Sequence, residues 1–198
     1  MKNVPNILSA VRIVLTPIFI ILYVQDELLY RSLAIGVFGF AAITDYFDGY
    51  IAREFNAGSN LGKFLDPLAD KFLTFAGFAV LPFIDIDTFP ILPIVLIVLR
   101  DLFVTVMRVM ANRKSYTMQT SNIAKFKTVV QMVFLPIALL GGLFVHAEVP
   151  PSEFTRWLFD TGVFTWALYF VAAFTVYTGI DYIRINKDLF IKSDENGN

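Results

Sequence analysis

Six long apolar stretches, separated by short polar ones, make up most of the chain. A helix that crosses a membrane needs about 20 mostly apolar residues, and each stretch is close to that length. The pattern therefore predicts an all-α integral membrane protein with about six transmembrane helices. The predicted helices cover, in chain order, residues 7–24, 29–50, 61–83, 91–110, 123–144 and 161–183.

Local features refine three of these elements. Gly36 and Gly39 in the second predicted helix favour close packing against a neighbouring helix. Arg12 lies one turn inside the first, where we expect it to snorkel to the membrane interface; the alternative is that it faces a functional site. The segment 146–156, HAEVPPSEFTR, is polar and contains two prolines, so it is predicted to be a loop.

Composition narrows the class of protein further. Of the 198 residues, 57% are hydrophobic and 16% aromatic, which is too apolar for an ordinary soluble domain. We expect one transmembrane domain over residues 1–190, carrying any catalytic site, and a polar tail at 191–198. A net charge of −1, with no basic run among aromatic residues, gives no sign of a nucleic-acid partner. The absence of cysteine excludes disulfides and a cysteine nucleophile.

Positive charges predict the orientation of the bundle. With six helices, Arg31 and Arg156 fall on one side of the membrane, and the remaining 14 of the 16 lysines and arginines fall at or toward the other. Loops rich in lysine and arginine stay in the cytoplasm. We therefore expect a multi-pass protein of the cell membrane with both termini in the cytoplasm.

Four aspartates lie where the second and third predicted helices face that side. Asp45 and Asp48 are spaced i,i+3, and Asp66 and Asp70 i,i+4, so each pair shares a face if the helix continues through it. Charges against a bilayer are costly, and a divalent cation would compensate them. The all-oxygen donor set suits Mg²⁺ or Mn²⁺, and we expect two ions. Pro67 leaves open whether the third helix is kinked or capped by Asp66.

Small residues and an arginine accompany the aspartates. Gly49 and Ala52 each follow an aspartate by one turn, and Gly62 precedes one by a turn, which lets a bulky ligand approach the backbone. Arg53 has a fork-shaped side chain suited to a phosphate. Together with a metal, these residues predict a diphosphate ligand. The alternative is that the aspartates cap helices or pair with basic residues at the membrane surface.

These residues fit, without a gap, the pattern D-x2-D-G-x2-A-R-x8-G-x3-D-x3-D, and the chain therefore resembles the CDP-alcohol phosphatidyltransferase family. The resemblance implies a CDP-alcohol phosphotransferase-like helix bundle that forms a homodimer. It implies a catalytic role for Asp70, as the base, together with Asp66. The implied metal ligands are Asp45, Asp48, Asp66 and Asp70, and the implied contacts to the CDP moiety are Gly49, Ala52, Arg53 and Gly62.

Four cations on the fourth and fifth predicted helices are candidates for binding the second substrate. They are Arg100, Arg108, Lys125 and Lys127. Arg100 and Arg108 are about two turns apart and so lie on broadly the same face. The group suits a phosphorylated acceptor better than neutral inositol, serine or choline. A simpler alternative pairs Arg100 with Asp101. The cations lie toward the same membrane face as the aspartates, so we expect the two groups to meet there.

The same region resembles the branch of the family that uses sn-glycerol 3-phosphate as acceptor, with the motifs R-[DE], LR and G-K-x-K-T-x-x-Q. The matching segments are Arg100-Asp101, Met107-Arg108, and Ala124 to Thr128 with Gln131; Met107 and Ala124 depart from the usual leucine and glycine. The implied reaction transfers a phosphatidyl group from CDP-diacylglycerol to glycerol 3-phosphate, giving phosphatidylglycerol phosphate and CMP. Alternatives are cardiolipin or phosphatidylinositol phosphate synthesis, a membrane prenyltransferase and a cation transporter.

Overall fold

The computed structural model describes the backbone of residues 4–55, 62–113, 118–119, 121–147 and 152–186, and the side chains within residues 10–44, 71–111, 118–119, 121–147 and 153–186. In this part of the chain the regular structure is helical. The helices are α1 (Val4–Tyr23), α2 (Leu28–Phe55), α3 (Gly62–Val80), α4 (Ile91–Arg113), α5 (Asn122–Ala147), α6 (Ser152–Asp160) and α7 (Val163–Ile185), and a 3₁₀ turn (Leu81–Phe83) follows α3.

The six long helices confirm the all-α prediction, and most of their ends lie within three residues of the predicted ones. The exception is α2, which continues five residues beyond the predicted end, to Phe55. α3 begins at Gly62 and runs through Pro67 to Val80. Asp66 therefore lies inside this helix, and the alternative in which it caps the helix is wrong.

Helix α6 corrects the predicted loop over 146–156. α5 extends to Ala147, and α6 then runs from Ser152 to Asp160 with Glu153 in its first turn, where an acidic residue favours helix formation. Gly162 separates α6 from α7 with a φ of 72°, a conformation that glycine adopts without strain. Its N–H donates to the carbonyl of Phe159, which closes the end of the helix.

The chain folds into two compact units. The first comprises residues 1–91 and 135–165, and the second comprises residues 92–134 and 166–198. In the first unit, α1 packs against both α2 and α3, and α2 also contacts α3. Its interior is rich in aromatic rings: Phe19 lies 5.2 Å from Phe38, and Phe89 lies 5.9 Å from Phe164, centroid to centroid.

Close packing in the first unit depends on glycines other than the predicted ones. A methyl group at Gly77 would lie 2.6 Å from Leu135 Cδ2, and one at Gly142 would lie 2.6 Å from Ile84 Cδ1. The side chains of Leu135 and Ile84 can pack directly against these glycines because glycine has no Cβ. Gly36 and Gly39 have open space in the same position, so the prediction that they allow close packing within the chain is wrong.

Two buried arginines belong to the first unit. Arg12 is 1% exposed, so the prediction that it snorkels to the interface is wrong. Arg31, at the start of α2, donates from Nε to the carbonyl of Gln25 and from Nη2 to the carbonyl of Phe83, and it lies over the ring of Tyr23. Arg31 thus ties the α1–α2 turn to the 3₁₀ turn after α3.

Large apolar side chains cover the outside of the long helices. Within the described residues, α5 and α7 are long and apolar enough to cross a membrane, and shorter apolar stretches cover Ala10–Tyr23, Leu28–Thr44 and Lys71–Phe83. Exposed leucine, valine, phenylalanine and tryptophan side chains recur along α4, α5 and α7. Such a surface suits lipid rather than water.

Candidate active site

The aspartate motif lies on α2 and α3 of the first unit. Asp45, Asp48, Gly49, Ala52 and Arg53 belong to α2, and Gly62, Asp66 and Asp70 belong to α3. Their side chains lie outside the described set. The backbone satisfies the condition on which the predicted pairing depends, since one continuous helix runs through each pair of aspartates.

The chemistry of the motif fits a hard divalent cation. Its donors are four carboxylates, without histidine or cysteine among them, and oxygen donors are what Mg²⁺ and Mn²⁺ prefer. Among the side chains that the structure describes, no group of three acidic or histidine residues could hold a metal ion. The four aspartates are not part of that described set, so they remain the predicted metal ligands.

A buried ion pair joins α4 to α5 in the second unit. Lys127 Nζ lies 2.6 Å from Asp101 Oδ1 and 2.8 Å from Oδ2, and the two side chains are 2% and 1% exposed. Removing two charges from water is costly, and only short, well-aligned contacts offset that cost. Both carboxylate oxygens of Asp101 therefore accept hydrogen bonds from Lys127 Nζ.

Arg100 completes what we call the Asp101 cluster, namely Arg100, Asp101 and Lys127. Arg100 Nη1 donates to Asp101 Oδ1 at 3.1 Å, and the arginine side chain is 11% exposed. Its Nε and Nη2 are buried and have no hydrogen-bond partner within the described part of the chain. A buried donor without a partner is costly, so this edge of the guanidinium is a candidate anion-binding group.

Gly179 of α7 leaves space for the side chain of Arg100. A methyl group at Gly179 would lie 3.0 Å from Arg100 Cγ and 3.3 Å from its Nε. The Arg100 side chain therefore lies directly against the α7 backbone from Cγ to Nε. A larger residue at this position would displace the side chain.

Polar contacts also link α5 and α7, or the residues next to them, close in sequence to the residues of the Asp101 cluster. Gln131 Nε2, one turn after Lys127, donates to Thr175 Oγ1 at 3.2 Å, and both residues are buried. Directly after the end of α7, Asn186 donates to the carbonyl of Gln119, which precedes α5, and accepts from the Gln119 N–H. These bonds fix the register of the helix that carries Gly179.

The structure separates the four predicted acceptor cations into two groups. Arg100 and Lys127 meet at Asp101, which is the simpler alternative that the sequence left open for Arg100. Arg108 and Lys125 are exposed. Sequence reasoning named Asp101 only as an alternative partner of Arg100, and it gave no role to Gly179. The R-[DE] motif gave a signal for Asp101, whereas nothing marked Gly179.

Comparison with known proteins agrees with the motif. The CDP-alcohol phosphatidyltransferase profile matches residues 2–177, and the chain belongs to this family. It is 34% identical over 194 residues to the CDP-diacylglycerol–glycerol-3-phosphate 3-phosphatidyltransferase of Rickettsia typhi, covering 96% of this chain and 100% of that protein. It is 33% identical over 199 residues to the enzyme of the same name from Bacillus subtilis, covering 94% and 96%. The chain is thus a membrane enzyme, and the prenyltransferase and transporter alternatives are set aside.

Proposed function

We propose that this enzyme transfers a phosphatidyl group from CDP-diacylglycerol to sn-glycerol 3-phosphate, giving phosphatidylglycerol phosphate and CMP in phospholipid biosynthesis. The names of relatives that match the chain almost end to end support this reaction. The observation that carries the choice of acceptor is the Nε–Nη2 edge of Arg100 in the second unit, which is buried and has no hydrogen-bond partner among the described residues. An arginine edge suits a phosphate, which neutral inositol, serine and choline lack.

The aspartate motif would bind and activate the diphosphate substrate. Asp45, Asp48, Asp66 and Asp70 would hold two Mg²⁺ or Mn²⁺ ions, which when bound neutralise the diphosphate and make CMP a better leaving group. Asp70, aided by Asp66, would accept the proton of the attacking hydroxyl. The small residues Gly49, Ala52 and Gly62 would let the nucleotide approach the backbone, and Arg53 would contact its phosphates.

The test is CMP release by the purified protein in detergent, with CDP-diacylglycerol and Mg²⁺ and with or without glycerol 3-phosphate. We expect CMP only when glycerol 3-phosphate is present. Asp70→Asn should lower the rate by at least about a hundredfold, since a general base contributes that much or more. Asp87→Asn is the matched control, because Asp87 is an exposed aspartate of the turn before α4.

Other acceptors decide between members of the family. If phosphatidylglycerol or inositol phosphate elicits CMP and glycerol 3-phosphate does not, the acceptor assignment is wrong and the family chemistry stands. If no alcohol elicits CMP from protein that unfolds cooperatively, the proposed reaction is wrong. Normal activity in Asp70→Asn would remove the catalytic role of that aspartate.

We further propose that the active site and both termini face the cytoplasm and that the enzyme is a homodimer. The charge distribution in the sequence supports the orientation, and the family resemblance supports the dimer. The chain has no cysteine, so single-cysteine variants report sidedness directly. Asp87→Cys should react with an impermeant maleimide added to intact cells, and Ser193→Cys only after lysis. The reverse result would invert the orientation.

A further inference from the structure

Charge compensation within the Asp101 cluster is uneven. Lys127 receives both carboxylate oxygens of Asp101, at 2.6 and 2.8 Å, whereas Arg100 shares one of them at 3.1 Å. Lys127 therefore has the shorter and more numerous contacts to the carboxylate, and Arg100 has a single longer one.

Hydrogen bonding of Arg100 leaves one complete edge of the guanidinium buried and without a partner among the described residues. Nη1 is directed to Asp101, while Nε and Nη2 have no partner among the described residues. These two nitrogens form the side of the fork that binds two oxygens of one phosphate through parallel hydrogen bonds. An anchored Nη1 therefore orients a two-donor site.

Two features hold this edge in place. Asp101 fixes the end of the guanidinium, and Gly179 accommodates the side chain from Cγ to Nε, with 3.0 Å between Arg100 Cγ, and 3.3 Å between its Nε, and the position that a Cβ would take. An arginine otherwise has many rotamers, and ordering it before the ligand binds lowers the entropic cost of binding.

We infer that Asp101 is a positioning residue, and that Asp101 and Gly179 together orient the Nε–Nη2 edge of Arg100 toward the phosphate of the acceptor. Lys127 neutralises Asp101 and so lets a carboxylate stand next to a phosphate site. The inference rests on the proposed function for the identity of its ligand. It adds roles for Asp101 and Gly179.

Asp101→Asn tests the role of the carboxylate. The amide keeps the shape but loses the charge and one acceptor oxygen, so the Arg100 edge is no longer fixed. We expect the KM for glycerol 3-phosphate to rise about tenfold or more, as for the loss of a charged hydrogen-bond arrangement, with the KM for CDP-diacylglycerol unchanged. Asp101→Glu keeps the charge and should recover part of the affinity. A purely structural role would lower the unfolding temperature and the active fraction and leave both KM values unchanged.

Gly179→Ala tests the same geometry without removing a charge. Its Cβ requires Arg100 to shift by a few tenths of an ångström, and we expect a rise of about threefold to tenfold in the KM for glycerol 3-phosphate. Alanine favours helix over glycine, so the unfolding temperature should not fall. Gly36→Ala is the matched control, because a methyl group there meets nothing within 4 Å. Inorganic phosphate should compete with glycerol 3-phosphate in the wild type and in Gly36→Ala, and more weakly in Gly179→Ala.

The wild type and the variants separate the two proposals. If the wild type releases no CMP in response to glycerol 3-phosphate, the proposed function is wrong, and the ligand inferred for Arg100 is wrong with it. If the wild type responds and Gly179→Ala and Asp101→Asn both keep its KM, the function stands and the positioning role is overturned. If Asp101→Asn does not fold, Gly179→Ala decides the question alone.

Discussion

Arg31 in the first unit and Arg100 in the second are both largely buried, at 2% and 11% exposure of the side chain, and their partners differ. Arg31 donates from Nε and Nη2 to backbone carbonyls and has Asp26, a fully exposed residue, as its acidic partner. Arg100 is held by a buried carboxylate, and its Nε and Nη2 are buried without a partner among the described residues. The same two nitrogens are thus used for the fold in one unit and left for a ligand in the other.

The comparison shows why burial alone does not identify a binding residue. Arg31 also has one buried nitrogen without a described partner, Nη1, but the neighbouring Nη2 is engaged. A phosphate needs two adjacent donors to be bound by the flat fork of an arginine. Arg100 has such a pair. Arg31 has a single donor without a partner, and its other donors link the α1–α2 turn to the 3₁₀ turn after α3.

The largest expected effect is a difference in stability between variants of the two acidic partners, Asp101 for Arg100 and Asp26 for Arg31. Asp101→Ala leaves Lys127 and Arg100 without their buried carboxylate, and we expect the free energy of unfolding to fall by about 3–5 kcal/mol. Asp26→Ala removes a carboxylate that water already solvates, so no measurable change is expected. Thermal unfolding of both variants in the same detergent checks this. Equal losses would contradict the distinction between a buried cluster and an exposed pair.

The helices of both units were predictable because apolar runs of about 20 residues have few alternatives in a membrane protein. Helix α6 was not, since Pro150 and Pro151 indicated a loop. A proline that precedes a helix does not oppose it, because the first N–H groups of a helix have no partner within it. The combination of proline, Ser152 and Glu153 is instead typical of a helix start.

The features of the site that could not be predicted depend on contacts between residues that are far apart in the sequence. The aspartate motif and the four cations were found from spacing and residue type. The pairing of Asp101 with Lys127 joins residues 26 positions apart and depends on how α4 packs against α5. Glycines show the same limit: Gly36 and Gly77 look alike in sequence, yet only Gly77 has a neighbouring side chain against it.

Gly142 and Gly179 differ in what packs against them, because Gly142 meets the hydrocarbon side chain of Ile84 and Gly179 meets Arg100. Gly142→Ala brings a methyl group within 2.9 Å of three Ile84 carbons, including Cδ1 at 2.6 Å. Overpacking of this kind costs about 1–3 kcal/mol, so we expect lower stability, measured by thermal unfolding, with the KM for glycerol 3-phosphate unchanged. Gly39→Ala, where the space is open, is the control. A change in that KM for Gly142→Ala would show that the packing of the first unit influences acceptor binding.

Exchange of each arginine for lysine is the most direct test of the comparison and has the smallest expected effect. Lysine keeps the positive charge but presents a point charge instead of a two-donor edge. In Arg100→Lys we expect the KM for glycerol 3-phosphate to rise about tenfold, or about 1.4 kcal/mol, with a small change in unfolding temperature.

Arg31→Lys loses the contacts to Gln25 and Phe83, so it should unfold at a lower temperature and keep the wild-type KM. Steady-state kinetics should therefore show a changed KM in Arg100→Lys, and thermal unfolding should show a lowered unfolding temperature in Arg31→Lys. If Arg31→Lys raised the KM as much as Arg100→Lys does, the Nε–Nη2 edge of Arg100 would not be what binds the acceptor. If neither variant raised it, the phosphate would be bound elsewhere, and exposed Arg108 and Lys125 would be the next residues to exchange, since they are the other two predicted acceptor cations.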